Sequence, residues 1–167
     1  IMHRSLQSPD FERFAAERLG SLPSSALVRL YIWKFTTDRI VERPLLGWGF
    51  DAARRIPGGG DKFVAKDGQG RTIVTEFNLP LHPHNQILQI WLELGAVGAL
   101  IVAVAGALLI DGLGRRESQA RAAGLGLAGT AIVYDSLSFG AWQSWWVAAI
   151  FVAAVLLSAV PSPSVRS

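Results

Sequence analysis

No charged residue lies between Leu94 and Ile110, and none between Ser136 and Val165. About 20 mostly apolar residues cross a hydrocarbon layer as a helix, and lipid tolerates only backbones whose polar groups are satisfied internally. The second half of the chain supplies three such stretches, at about 90–113, 120–138 and 142–160. The first half supplies none. Charge is segregated to match: residues 1–92 hold 12 of the 16 Lys and Arg and 9 of the 13 Asp and Glu. The expected fold class is therefore all-α integral membrane, with a long outward-facing loop that carries helices and a small β-hairpin, followed by three transmembrane helices. The expected organisation is a loop region over 1–85, membrane helices within 86–160 and a tail over 161–167. A polar region of this size ahead of three spans is expected of the C-terminal part of a larger membrane protein.

Orientation follows from the short loops. Arg115, Arg116 and Arg121 lie between the first two stretches, and "AWQSWW" (141–146) joins the second to the third without a charge. Short arginine-bearing loops stay in the cytoplasm, whereas long loops translocate largely regardless of charge. Residues 1–85 then face outward, the periplasm of a Gram-negative cell, and the tail faces the cytoplasm. The formal charge of +3 comes from basic residues interleaved with acids, which excludes a nucleic-acid footprint. The chain has no cysteine, so a disulfide framework and a thiolate metal site are excluded.

Within the loop region, "SPDFERFAAERLGSLP" (8–23) reads as a short amphipathic helix. Ser8 or Asp10 caps it, Gly20 stops it, and Phe11, Phe14, Ala15 and Leu19 share a face. A second helix covers "SALVRLYIWKFTTDRIVER" (25–43), capped by Ser24 or Ser25 and ended by Pro44. It aligns Arg29, Thr36 and Arg43, sets Trp33 one turn from Arg29, and pairs Lys34 with Asp38. The stretch "KFVAKDGQGRTIVTEF" (62–77) suits a hairpin turning at Asp67-Gly68. The long apolar helix starts at Pro83-His84-Asn85, with Asn85 as its cap.

Several residues can carry chemistry. His84 at a helix start is disfavoured as imidazolium, so it can serve as a neutral base, and the free N–H groups there suit phosphate oxygens. The plainer reading is a surface histidine at a helix cap. His82 and His84 form H-x-H, but two ligands with no carboxylate or thiolate nearby make a poor metal site, and Pro83 restricts how the rings converge. No metal is expected. Arg29, in the apolar setting "ALVRLYIW", suits a phosphate or diphosphate through its fork of donors; snorkelling or stacking on Trp33 is the alternative. Arg39 and Arg43 read as solvated helix-end charges with a phosphate role open. Glu93 reads as an arginine partner or a headgroup-level charge. Gln143 and its neighbouring tryptophans read as interfacial anchors.

The ordered set Arg29-x-x-x-Trp33, "RPLLGWGF" (43–50) and "HPHNQILQIWLELGAVG" (82–98) resembles the C-terminal part of the O-antigen ligase / O-antigen polymerase family. These are polytopic glycosyltransferases of the bacterial inner membrane. The resemblance implies transfer of a glycan from an undecaprenyl-diphosphate-linked donor to a sugar hydroxyl, with lipid A–core or a glycan as acceptor and membrane lipids as surroundings. It implies neither a nucleotide sugar nor a metal or other cofactor. It makes His84 and Arg29 the catalytic pair and Asn85 a substrate-site residue, with Arg39 and His82 matching the substrate-binding set loosely. A ligase of lipopolysaccharide biosynthesis is the leading expectation. A polymerase of the same family, or a non-enzymatic transport or scaffold component, is the alternative.

Overall fold

The computed structural model describes residues 9–19, 22–137 and 140–159. Ser8, Gly20 and the 161–167 tail lie outside the described residues. Helix α1 (Pro9–Phe14) runs on into a π-helical turn at Ala15–Leu19, and α2 covers Ser24–Glu42. Strands β1 (Lys62–Lys66) and β2 (Thr72–Phe77) follow, then α3 (Gln86–Gly114), α4 (Ser118–Leu137) and α5 (Ser144–Ser158).

The loop region owns a small apolar core. Leu27, Tyr31, Ile32, Phe35, Thr36, Arg39 and Ile40 point inward from α2 at the three-to-four-residue spacing of one helical stripe. Tyr31 stacks flat on Phe63 of β1 at 4.6 Å, and Phe11 of α1 meets Tyr31 edge-on at 5.1 Å. Phe14, expected on the same face as Phe11, is instead 52% exposed. The Ser24 and Ser25 hydroxyls do not cap α2. Pro23 takes that position, and its carbonyl accepts the N–H groups of Ala26 and Leu27. The Lys34–Asp38 pair forms as its spacing requires.

β1 and β2 pair antiparallel, with Phe63 and Ala65 inward on alternate positions of β1. Their turn is built by Asp67, whose Oδ1 accepts the backbone N–H groups of Gln69 and Arg71. This is the way a short carboxylate side chain imitates a backbone turn.

α3 begins as its sequence requires: Asn85 Oδ1 accepts the Leu88 N–H at 3.0 Å. It then breaks at Gly95, where φ is 67° and ψ −169°. The break frees backbone groups that the "PLLGWG" segment satisfies. Pro44 and Leu45 carbonyls accept the N–H groups of Ala96 and Val97, while Trp48 and Gly49 donate to the carbonyls of Leu92 and Glu93. Close approach makes two glycines obligatory. A Cβ on Gly95 would sit 2.2 Å from the Leu45 carbonyl oxygen, and one on Gly47 would sit 2.5 Å from the Glu93 carbonyl. Two motifs far apart in sequence are therefore one backbone joint.

The break divides α3 by environment. Before it, Gln86, Gln89, Leu92 and Glu93 are buried against the loop region. After it, Leu100, Ile101, Val104, Leu108 and Leu109 are exposed. Among the described residues, one helix, Gln86–Gly114, is long and apolar enough to cross a membrane. α4 falls short by composition, with Arg121, Asp135 and five glycines or serines in its length, and α5 falls short at 15 residues. α3 and α4 close on each other at Gly124, where an added Cβ would meet Leu113 at 2.7 Å and Leu157 of α5 at 3.2 Å. Small residues permit such contact where apolar burial in water is not the driving force.

Gly95→Ala and Gly47→Ala are expected to destabilise the protein severely, since each adds a backbone collision to a left-handed conformation that alone costs about 1–3 kcal/mol. Gly106→Ala, with open space around it, is expected to be neutral or mildly stabilising. Thermal unfolding of the detergent-purified full-length protein checks this. Wild-type stability in Gly95→Ala would refute the joint.

Candidate functional site

The segment His82–Asn85 is held from three directions. From α2, the Trp33 indole N–H donates to the Pro83 carbonyl at 2.9 Å. From within, the His84 backbone N–H donates to His82 Nδ1 at 3.2 Å. From the turn between α4 and α5, Gly140 lies so close that a Cβ there would be 3.0 Å from His82 Cδ2. His84 takes a left-handed backbone at φ 53°, unusual for a residue with a side chain. Such a conformation persists where surroundings over-determine it, and these three contacts are of that kind.

The rings of His82 and His84 meet edge-on, with centroids 4.5 Å apart. Pro83 thus brings them together rather than keeping them apart. His82 Nδ1 is already occupied as an acceptor. Burial, the neighbouring His84 and the charge of Arg54 push His82 down from the usual 6.5 to about 4. At neutral pH this ring is uncharged.

Arg29 is half-buried on α2, one turn before the Trp33 that grips Pro83. Arg39 corrects the expectation of a solvated helix-end charge. It is 5% exposed, donates from Nη1 to Glu42 at 2.7 Å and stands over the Phe35 ring. Arg43 is exposed and stacks on Trp48 at 4.2 Å. Asn85 joins its neighbours as the helix cap.

Glu93 is the residue whose setting differs most from expectation. Among the described residues it pairs with no arginine, and it is fully buried rather than exposed. Its Oε1 accepts from the Ala53 N–H at 3.2 Å and from Gln89 Nε2 at 3.1 Å. Its Oε2 accepts from the Asp51 N–H at 2.9 Å and from the Trp142 indole. Gln89 in turn accepts the Ala141 N–H at 2.8 Å. All of these neighbours are donors, the set an ionised carboxylate satisfies. Trp142 is therefore tied inward by its indole, with Phe50 against its ring at 4.5 Å, and is more than an interfacial anchor. One signal for this lay in the sequence. Gln89 and Glu93 are four apart in an otherwise apolar helix, and a carboxylate there must find donors. What it could not indicate is that the donors come from residues 51–53 and 142.

Glu93 thereby sets both flanks of His82. One flank is Asp51–Ala53, which leads directly to Arg54, the cation whose charge reaches His82. The other is Ala141–Trp142, next to the Gly140 that backs the ring.

The family model described as O-antigen ligase matches residues 5–103. A Rickettsia prowazekii protein provisionally named a polysaccharide ligase is 33% identical over 157 residues, which is 93% of this chain and 37% of the relative. A Rickettsia typhi protein of the same provisional name is 32% identical over 157 residues, again 93% of this chain and 37% of the relative. A Rickettsia conorii counterpart is 28% identical over 151 residues, 90% of this chain and 36% of the relative. The chain thus spans a little over a third of the length of these curated relatives. No solved structure gives a significant match.

Glu93→Gln turns one acceptor oxygen into a donor facing donors. Charge-assisted hydrogen bonds contribute about 1.5–3 kcal/mol each, so a loss of several kcal/mol is expected. Thermal unfolding in detergent measures it, and an unchanged midpoint would remove Glu93 from its central place. A second expectation concerns acid. A histidine depressed when folded stabilises fully above its unfolded value and loses that contribution as pH falls. Unfolding midpoints should drop between pH 6.5 and about 4, and His82→Asn should lack this part of the drop.

Proposed function

The chain belongs to the O-antigen ligase family, and from that premise we propose that it carries the transfer site of a metal-independent glycosyltransferase of lipopolysaccharide biosynthesis. The donor is a glycan on undecaprenyl diphosphate, and the acceptor is a sugar hydroxyl of lipid A–core. The enzyme is a multi-pass protein of the inner membrane. The stretches near 90–113, 120–138 and 142–160 are its spans here, residues 1–85 are periplasmic, and 161–167 are cytoplasmic.

His84 takes the proton of the acceptor hydroxyl as its oxygen attacks the anomeric carbon. A new C–O bond forms there while the bond from that carbon to the diphosphate oxygen breaks, and the electron pair leaves with the diphosphate. Arg29 meets the growing negative charge with fixed donors, the kind of electrostatic stabilisation that contributes most to such transfers. Asn85 caps α3 and aligns the approach. Arg39 turns inward to Glu42, so charge stabilisation rests chiefly on Arg29. The observation that carries this reading is the Trp33–Pro83 hydrogen bond, which ties the helix of Arg29 to the segment of His84. The site also lies at the start of α3, beside the buried polar piece that precedes the bare apolar one. That is where a diphosphate anchored in lipid would emerge.

The relatives' provisional name favours a ligase over a polymerase. Full-length wild type, His84→Ala and Arg29→Ala can be placed in ligase-null and polymerase-null strains and their lipopolysaccharide run on gels. Wild type should restore the ladder in the ligase-null strain. General-base catalysis contributes about 10²–10⁴-fold, so His84→Ala should abolish the ladder at matched expression, and Arg29→Ala likewise. Ladders from both variants would overturn the assignment.

A further inference from the structure

We propose that His82 is a positioning residue, whose Nδ1 accepts the His84 backbone N–H and holds His84 in the left-handed conformation from which it acts. This rests on the transfer reading above and goes beyond it. The family resemblance makes His82 only a loose member of the substrate-binding set.

The geometry is that of a side-chain acceptor bonding an N–H two residues on, as Asn and Asp do when they imitate a turn. The bond measures 3.2 Å, and it spans Pro83, whose ring fixes one dihedral and biases residue 82 toward an extended backbone. The carbonyl between the two histidines is gripped by the Trp33 indole. The far face of the His82 ring is closed by Gly140, whose neighbours Ala141 and Trp142 are tied to Gln89 and Glu93. The segment is thus held by α2 through the Pro83 carbonyl, and the ring is backed by the α4–α5 turn. Because Nδ1 accepts, the ring proton must sit on Nε2. Protonation of Nδ1 would break the bond, and the depressed affinity of this ring for a proton keeps the bond intact at neutral pH. Arg54 and His84, the charged and titratable groups facing His82, both act in that direction.

This role makes a distinctive demand on substitutions. Asn places Oδ1 where His has Nδ1, whereas Gln places its polar end where His has Nε2. A positioning role through Nδ1 is therefore met by Asn and not by Gln. A substrate contact through Nε2 is met by Gln and not by Asn. The experiment is glycan transfer by the full-length enzyme in membranes, comparing His82→Asn, His82→Gln and His82→Leu at matched expression. The expected result is transfer within about threefold of wild type for Asn and at least tenfold loss for Gln and Leu, seen in kcat rather than in the acceptor KM. Gln outperforming Asn, or equal activity or equal loss in all three, would overturn the proposal. A second measurement does not depend on the transfer reading. In protein labelled with ¹⁵N-histidine, His82 should be the Nε2–H tautomer and stay neutral until pH nears 4. An Nδ1–H tautomer, or titration near 6.5, would overturn the role even if the enzyme proved to catalyse something else. Activity retained by His84→Ala would instead sink the transfer reading and leave the tautomer result standing.

Discussion

A single buried carboxylate organises this chain. Glu93 lies in the apolar helix α3, yet its two oxygens receive backbone N–H groups from Asp51 and Ala53, the Gln89 amide and the Trp142 indole. A charge taken out of water is costly unless its hydrogen-bonding capacity is met, and here it is met by segments from three parts of the chain. Because those donors have few alternatives, the loop after α2 and the turn before α5 must both come to α3. The His82–Asn85 segment sits between them, so its environment is a consequence of how Glu93 is satisfied.

The second constraint is the break at Gly95. An uninterrupted helix would leave no acceptor or donor for the turn-forming "PLLGWG" segment. Interrupting it exposes N–H and C=O groups that this segment then pairs, with Gly47 and Gly95 face to face where no Cβ fits. This gives a physical reason for the two motifs to occur in one chain in this order. They are two sides of one contact, and it fixes the start of α3 relative to α2.

Much of the local structure, including the Asn85 cap at the candidate site, was legible in residue order. Asn85 caps the helix expected to begin there, Asp67-Gly68 lies in the turn between two paired strands, and Lys34 meets Asp38. These depend on neighbours within a few residues, and local spacing specifies them. Two misreadings concern partners at long range. Glu93 looked like a headgroup charge because its donors lie about 40 and 49 residues away in the chain. Arg39 looked solvated because its local neighbours Phe35 and Glu42 do not show that the distant turn at Gly58 closes over it. The Ser24 and Ser25 hydroxyls lost the cap to the Pro23 carbonyl, a competition between adjacent acceptors that composition does not rank.

The sequence by itself determined the division between a polar region and an apolar one, the cap that starts α3, and the residues from which a site that holds a diphosphate and moves a proton is proposed. Those follow from hydropathy and from side-chain chemistry, which are properties of residues and near neighbours. Only the tertiary structure decided which of these residues meet. It placed Trp33 on Pro83, set His82 Nδ1 to receive the His84 N–H, and closed both flanks through Glu93. The physical reason is that buried hydrogen-bonding groups must all be satisfied together, and that condition is met by the fold as a whole rather than by any one segment.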